Sequence, residues 1–243
     1  MEWFFCGTEV VSGESALSAL AQWRGERLLL ILEAGLQPPA ALPFRQVRVF
    51  SVGREAGTAQ AGAEGARLLR SLQPDLVAAM GSGPVLMTGK AALLLGKEGC
   101  PLVTIPTVPA VGEEVSPRVS LRHGLLRHTF AGKGIRPAMT ILDPALFAPC
   151  SRKMLAAAGF AILSDGLEHY VCPGGGMLGD LLAREAFCTA RAALPGAVLG
   201  QPSSRQRLTW PRCWREWRER LPGWGCAVCW HRLWQTATTS RRA

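Results

Sequence analysis

In the first 145 positions the apolar residues come in short unbroken runs separated by stretches of small residues. RLLLILEAG (27–35) and VRVFSVG (47–53) read as two buried strands. PDLVAAMGSG (74–83) reads as a third strand running into a glycine turn, PLVTIPT (101–107) as a fourth and AMTILDP (138–144) as a fifth. Between them AGTAQAGAEGARLLRSL (56–72) and PVLMTGKAALLLGK (84–97) space their apolar residues as helices do. Continuous apolar strands alternating with helices predict an α/β domain whose parallel sheet is covered on both faces. The strands are expected near 28–33, 47–52, 76–80, 102–106 and 139–142. LRHGLLRHTF (121–130) is a weak hairpin-like stretch in which His123 and His128 read as surface or turn residues.

The pattern changes after Pro144. CSRKMLAAAGFAILSDGLEHYV (150–171) and MLGDLLAREAFCTARAALP (177–195) are helical, and no strand candidate follows them. It changes again after Gly200, where neither period persists and six of the eight tryptophans fall within 210–234. The expected organisation is an α/β domain over 1–145, the start of a helical domain over 146–200, and an Arg/Trp/Cys-rich irregular tail over 201–243. An abrupt break of this kind is what a reading-frame change or another truncation leaves.

Charge alters the picture only in the tail. The net +9 divides into +2 over residues 1–200 (18 Lys/Arg, 16 Asp/Glu) and +7 over residues 201–243 (nine Arg, two Glu). The body of the chain therefore lacks the basic patterning of a nucleic-acid binder, and no nucleic-acid partner is expected for it. No apolar run reaches the length of a membrane helix, and the start MEWFFCGTEV lacks the basic-then-apolar order of a secretory signal. Eight scattered cysteines suit a reducing compartment, so a cytoplasmic protein is expected.

Candidate chemistry begins at the strand–GSGP–helix junction, Gly81 to Pro84. Backbone N–H groups at a helix start favour an anion, and glycine permits its close approach. The same arrangement serves as a tight turn with no ligand, and the residues of the turn leave both readings open. A Walker loop is excluded: five residues separate Gly83 from Gly89-Lys90, and Ala91 stands where Ser or Thr would hold magnesium.

Several segments, in order, resemble the iron-containing (group III) alcohol dehydrogenases, and most of all the branch of the 1-propanol dehydrogenases. They are FCGTEVVSGESALSAL, PDLVAAMGSGPVLMTGKAA, PLVTIPTVPAVGEEVS, RPAMTILDPAL, GFAILSDGLEHYV and LAREAFCTARAALP, and together they span about residues 4–200. The resemblance implies a Rossmann-like N-terminal domain followed by part of an all-α domain, in the dehydroquinate synthase-like architecture. It implies NAD(H) and a divalent metal, iron or zinc, in the cleft between them. It also implies hydride transfer between a short primary alcohol and its aldehyde, and a homo-oligomer or a microcompartment as the wider association. The coenzyme positions it transfers are Gly81, Ser82, Gly83, Lys90 and Thr107.

The departures from the family pattern are specific. Ser82, Pro84 and Met87 replace a Gly, a Ser and an Asp of the glycine segment. Val108 replaces the second Thr of the next segment, Ala110 and Val111 replace a Gly-[Thr/Ser] pair, and Glu113 replaces a Ser, bringing a charge that would repel phosphate if it faced the cleft. Arg127 stands where the family often has a Lys on the coenzyme side. On the helix over 159–171, Ala161, Asp165 and Glu168 share one face with His169 at its edge, while Ile162, Leu163, Leu167, Tyr170 and Val171 cover the opposite side. The family's Asp and His ligands from this helix fall on Ala161 and Asp165, and its two later histidines lie in a segment this chain does not contain. Asp165 and His169 are therefore the candidate metal positions, against a solvated polar face bonded locally. The tail's Cys226, Cys229 and His231, with Cys213 upstream, form an incomplete zinc pattern.

Three functions compete on these residues: an alcohol dehydrogenase, a non-catalytic remnant that binds nucleotide weakly, and an RNA- or zinc-binding tail.

Overall fold

The computed structural model describes residues 7–40, 42–96, 99–109, 112–171 and 177–209. The tail positions Cys213, Cys226, Cys229 and His231, and Ala110 and Val111, lie outside these residues.

The α/β part follows the hydrophobic pattern closely. Its strands are β1 (Glu9–Ser12), β2 (Arg27–Glu33), β3 (Gln46–Val52), β4 (Leu76–Gly81), β5 (Leu102–Pro106), β6 (Arg118–His123), β7 (Leu126–Ala131) and β8 (Met139–Leu142). Helix α1 (Ala59–Leu72) lies between β3 and β4, and α2 (Gly83–Gly96) between β4 and β5. Six strands form one parallel sheet in the order β1-β8-β5-β4-β2-β3, and β6 and β7 form a separate antiparallel hairpin. The five strands expected from the apolar runs are all present, but β3, read as buried, lies at the sheet edge and is exposed along most of its length, Val47 and Val49 included.

Strand alternation builds two cores. Leu29, Ile31, Val77, Ala79 and Leu102 face α1 and α2. Leu28, Leu30, Leu32, Ala78, Val103 and Ile105 face the other way. There the cover is not a long helix but a 3-10 turn over Ala16–Gln22, with Leu20 and Phe44 packed beneath it. Thr58 caps α1 by accepting a hydrogen bond from the Ala61 N–H at 3.1 Å. Strand β1 escaped the hydrophobic reading because it is four residues long, sits at the sheet edge beside β8 and buries none of its residues fully.

The helical part consists of α3 (Arg152–Val171), α4 (Met177–Val198) and the short α5 (Pro202–Arg207), which falls where the pattern suggested irregular chain. The face that α3 buries is made of Leu155, Ala158, Gly159, Ile162, Gly166 and His169. Leu167, Tyr170 and Val171, expected on the covered side, are exposed. The reason is close approach of the two helices: a Cβ on Gly159 would run into Leu194, and one on Gly166 would lie 3.1 Å from the Ala183 carbonyl oxygen. Small residues bring α3 against α4, and Leu167, Tyr170 and Val171 turn outward while Leu155 and Ile162 stay buried.

One buried lysine ties the hairpin to the sheet layer. Lys90, in the middle of α2, is wholly buried. Its Nζ donates to the carbonyls of Glu113, Ser116 (2.7 Å) and Arg118 (3.1 Å). These account for the three donors of an ammonium group. The segment leading into β6 is thereby fastened to α2. Lys90→Met keeps the bulk and removes the donors, so three carbonyls lose their charged partner. It is expected to lower unfolding free energy by roughly 3–5 kcal/mol in urea titration. A loss below about 1 kcal/mol would show that the lysine is not the anchor.

Candidate functional site

The carboxyl ends of parallel strands are where such sheets receive ligands, because helix starts and loops converge there. In this protein a cleft of about 520 Å³ opens at that edge. Its floor is the β4–α2 turn, with Ser82, Gly83 and Pro84. One wall carries Ala56 and Gly57 from the β3–α1 loop and Ser120, Arg122 and Arg127 from the hairpin. Met154, Ala157, Ala158 and Ala161 of α3 make the opposite, largely apolar wall.

The turn is built tightly. A Cβ on Gly81 would lie 2.9 Å from Glu33 Cβ and Val85 Cβ, so no larger side chain fits without a shift. Glu33 closes the turn: its carboxylate accepts from the Ser82 N–H at 2.7 Å and from the Ser82 hydroxyl at 3.0 Å. A carboxylate thus already sits at the positive end of the α2 dipole. Pro84 contributes no N–H, which leaves Gly83 as the unencumbered amide of the turn. Thr107 donates its N–H to the Gly81 carbonyl at 3.0 Å, and its own carbonyl accepts from Cys150 Sγ at 3.1 Å. Burial pushes the Cys150 thiol pKa up, so the group stays a neutral donor.

Of the expected coenzyme positions, Ser82 and Gly83 line the cleft. Gly81 and Thr107 are buried and shape the turn from behind. Lys90 requires correction: its amine is turned away into the three carbonyls that hold the hairpin, a structural task. Glu113 does face the cleft, as its charge made worth asking.

The metal positions separate. Ala161, which has no ligand atom, lines the cleft, whereas the half-buried Asp165 is not among the lining residues. His169 is wholly buried against α4, with Nε2 3.0 Å from the Asp180 carboxylate. It joins two helices rather than reaching a cleft. Among the described residues no group of three His, Cys, Asp or Glu side chains converges on a point that could hold an ion. A catalytic divalent site needs about three protein ligands, so the described residues by themselves do not fit the metal that the resemblance implies.

Glu33 and Arg122 were missed by the motif reading. A signal for Glu33 existed: a charged residue ending a buried parallel strand stands at the ligand edge. For Arg122 the signal was the period-two alternation in RVSLRH, which the weak hairpin pattern obscured.

Known proteins bear on this geometry. The family model described as iron-containing alcohol dehydrogenase matches residues 8–144. The 1-propanol dehydrogenase PduQ of Salmonella typhimurium is 27% identical over 214 residues, covering 82% of this chain and 57% of that protein. The solved iron-containing alcohol dehydrogenase of Thermococcus thioreducens superposes with a TM-score of 0.77 at 23% identity, over 90% of this chain and 68% of that one. The sulfoacetaldehyde reductase of Bifidobacterium kashiwanohense, solved in complex with NAD+, gives 0.77 at 18% identity, over 91% and 68%. The chain spans about half the length of the curated relatives it matches.

Glu33→Gln keeps an acceptor for Ser82 and removes a negative charge beside the floor of the cleft. It is expected to strengthen binding of ADP by about two- to fivefold, the range of one helix-terminus charge, in calorimetric titration. An unchanged or weakened isotherm would show that Glu33 does not compete with an anion for the turn.

Proposed function

We propose, from the premise that the chain belongs to the iron-containing alcohol dehydrogenase family, that its cleft binds a nicotinamide dinucleotide for hydride transfer between a short primary alcohol and its aldehyde. The observation that carries this reading is the cleft at the carboxyl edge of the parallel sheet, floored by the glycine turn between β4 and α2. The NAD+ complex of a protein with the same fold supports the choice of ligand. The PduQ relative supports propanol and propionaldehyde as the substrate pair.

The coenzyme, when bound, supplies or accepts the hydride. The chain's own residues divide the remaining work. The Gly83 amide faces the diphosphate at the α2 start, where the dipole favours negative charge, while Ser82 lines the same floor with its N–H and hydroxyl held by Glu33. Gly57 and Ala56 allow the ligand close to the β3–α1 loop. Met154, Ala157 and Ala158 present an apolar wall that excludes water from the reacting carbons. No step is assigned to a metal, because Ala161 offers no donor and His169 is wholly buried beside Asp180 and does not line the cleft.

Those two residues favour a second reading, in which the cleft binds nucleotide without turnover. Titrating NADH by fluorescence and following its oxidation with propionaldehyde, with iron(II) or zinc supplied and then chelated, separates the two. Saturable binding with aldehyde-dependent oxidation is the expected outcome of the first reading. Binding with no oxidation under any metal condition leaves the second, and absence of NADH binding removes both. On the first reading the chain works as a homo-oligomer or within a microcompartment, which sedimentation of the pure protein addresses. Among the described residues no helix is long and apolar enough to cross a membrane.

A further inference from the structure

The β6–β7 hairpin has two unlike faces. Val119 and Leu121 of β6 are buried among the apolar side chains of α1 and α2. Ser120 and Arg122 alternate with them and line the cleft, together with Arg127 of β7. The register places Arg122 directly opposite Arg127. Side chains directly opposite on an antiparallel pair share a face, with Cβ atoms about 4.5–5.5 Å apart, and like charges there repel. The backbone holds the pair in place: the Arg122 N–H donates to the Gly57 carbonyl at 3.0 Å, and Arg122 bridges to Thr58.

Nothing described in the protein neutralises this pair. Neither guanidinium has a carboxylate within 4.0 Å among the described residues. The Arg122 guanidinium makes one long contact, 3.5 Å to the Arg54 carbonyl. Glu113 lines the same cleft and is ion-paired with neither arginine. Two opposed cations at the wall of a cavity repel each other modestly in the free protein, since both side chains are exposed to solvent. An oxyanion with two charges makes the arrangement favourable, since each planar guanidinium can grip two oxygens.

We propose that Arg122 and Arg127 form a two-pronged subsite for a dianionic phosphate group of the ligand bound in the cleft. The inference deepens the coenzyme reading and rests on it for the carrier of the phosphate, while the subsite itself stands on the hairpin register. A 2′-phosphate of NADP(H) and the diphosphate shared by both coenzymes offer the same chemistry to the arginines.

The test uses the full chain and the variants Arg122→Gln and Arg127→Gln. Arg48→Gln, an exposed arginine on β3 outside the cleft, is the control. Inorganic pyrophosphate, ADP, adenosine, NADH and NADPH are titrated calorimetrically at two salt concentrations. Pyrophosphate and ADP are expected to bind the unmodified protein more weakly as salt rises. Each cleft variant should lose about tenfold or more in affinity for them, the scale of a charged hydrogen bond, while Arg48→Gln loses nothing. Adenosine should not distinguish the proteins. A preference for NADPH that Arg122→Gln abolishes places the 2′-phosphate in the subsite, and equal losses for NADH and NADPH place the diphosphate there.

In phosphate-free buffer the two variants should melt at or above the temperature of the unmodified protein, because repulsion is relieved. Absence of pyrophosphate binding, unchanged affinities in the variants, an equal loss for adenosine, or variants that melt lower would each overturn the proposal. Arginine-dependent pyrophosphate binding without binding of either coenzyme would keep the subsite and remove the coenzyme reading.

Discussion

The cleft depends on a lysine that never reaches it. Lys90 sits inside α2 with no exposed surface and gives its three donors to carbonyls of the segment that enters β6. A charge that deep is sustained only when each donor is met. The carbonyls it holds belong to Glu113, Ser116 and Arg118, so the chain cannot drift from α2 at the point where the hairpin begins. Because α2 also starts at the glycine turn, one helix carries both the floor of the cleft at its first residues and the anchor of its far wall two turns later. Distance between turn and hairpin is therefore set by the helix rather than by loop conformation.

That arrangement explains which parts of the protein the sequence discloses. Strands β2, β4, β5 and β8 are buried on both faces, so they appear as short, mainly apolar runs bounded by turn residues. Strand β1 and the hairpin do not. β1 draws its place from pairing with β8, and β7 is exposed along its whole length. Pattern reading found the glycine turn, Ser82 and Gly83 for the same reason that it found β4: the turn is local. It assigned Lys90 to the ligand because position along the chain says nothing of where a long side chain turns. Its fate is decided by residues 23 to 28 positions further on.

Helix α3 shows the same limit on the other wall. A wheel drawn from the sequence puts Leu167, Tyr170 and Val171 on the apolar side, yet these are exposed, while Ala158, Gly159 and Gly166 are buried beside Leu155 and Ile162. Helix pairs that approach through small residues gain contact along the backbone and turn bulky side chains outward. His169 then lies in the α3–α4 interface against Asp180, one turn past Asp165, and Ala161 is left to face the cleft. The helix thus supplies an apolar wall where a ligand for a metal would need an oxygen or nitrogen atom. Packing, more than the presence of acidic and imidazole groups in the stretch, decides what this helix can offer.

The charges around the cleft follow from these supports. At the floor, the Glu33 carboxylate occupies the Ser82 N–H and hydroxyl. On the hairpin wall, Arg122 and Arg127 face the same space as a cross-strand pair. Negative charge is thus satisfied by the backbone at the helix start, where dinucleotide folds ordinarily welcome phosphate, and positive charge is left unsatisfied on the opposite side. An anionic ligand entering this cleft meets repulsion from Glu33 and Glu113 and attraction from the hairpin. Arg122 and Arg127, without a carboxylate partner within 4.0 Å among the described residues, are the two cationic side chains in the lining that an incoming anion meets. On the proposed subsite the hairpin supplies the cationic side of the cleft and the glycine turn its amide side, and the tether through Lys90 keeps the two facing each other.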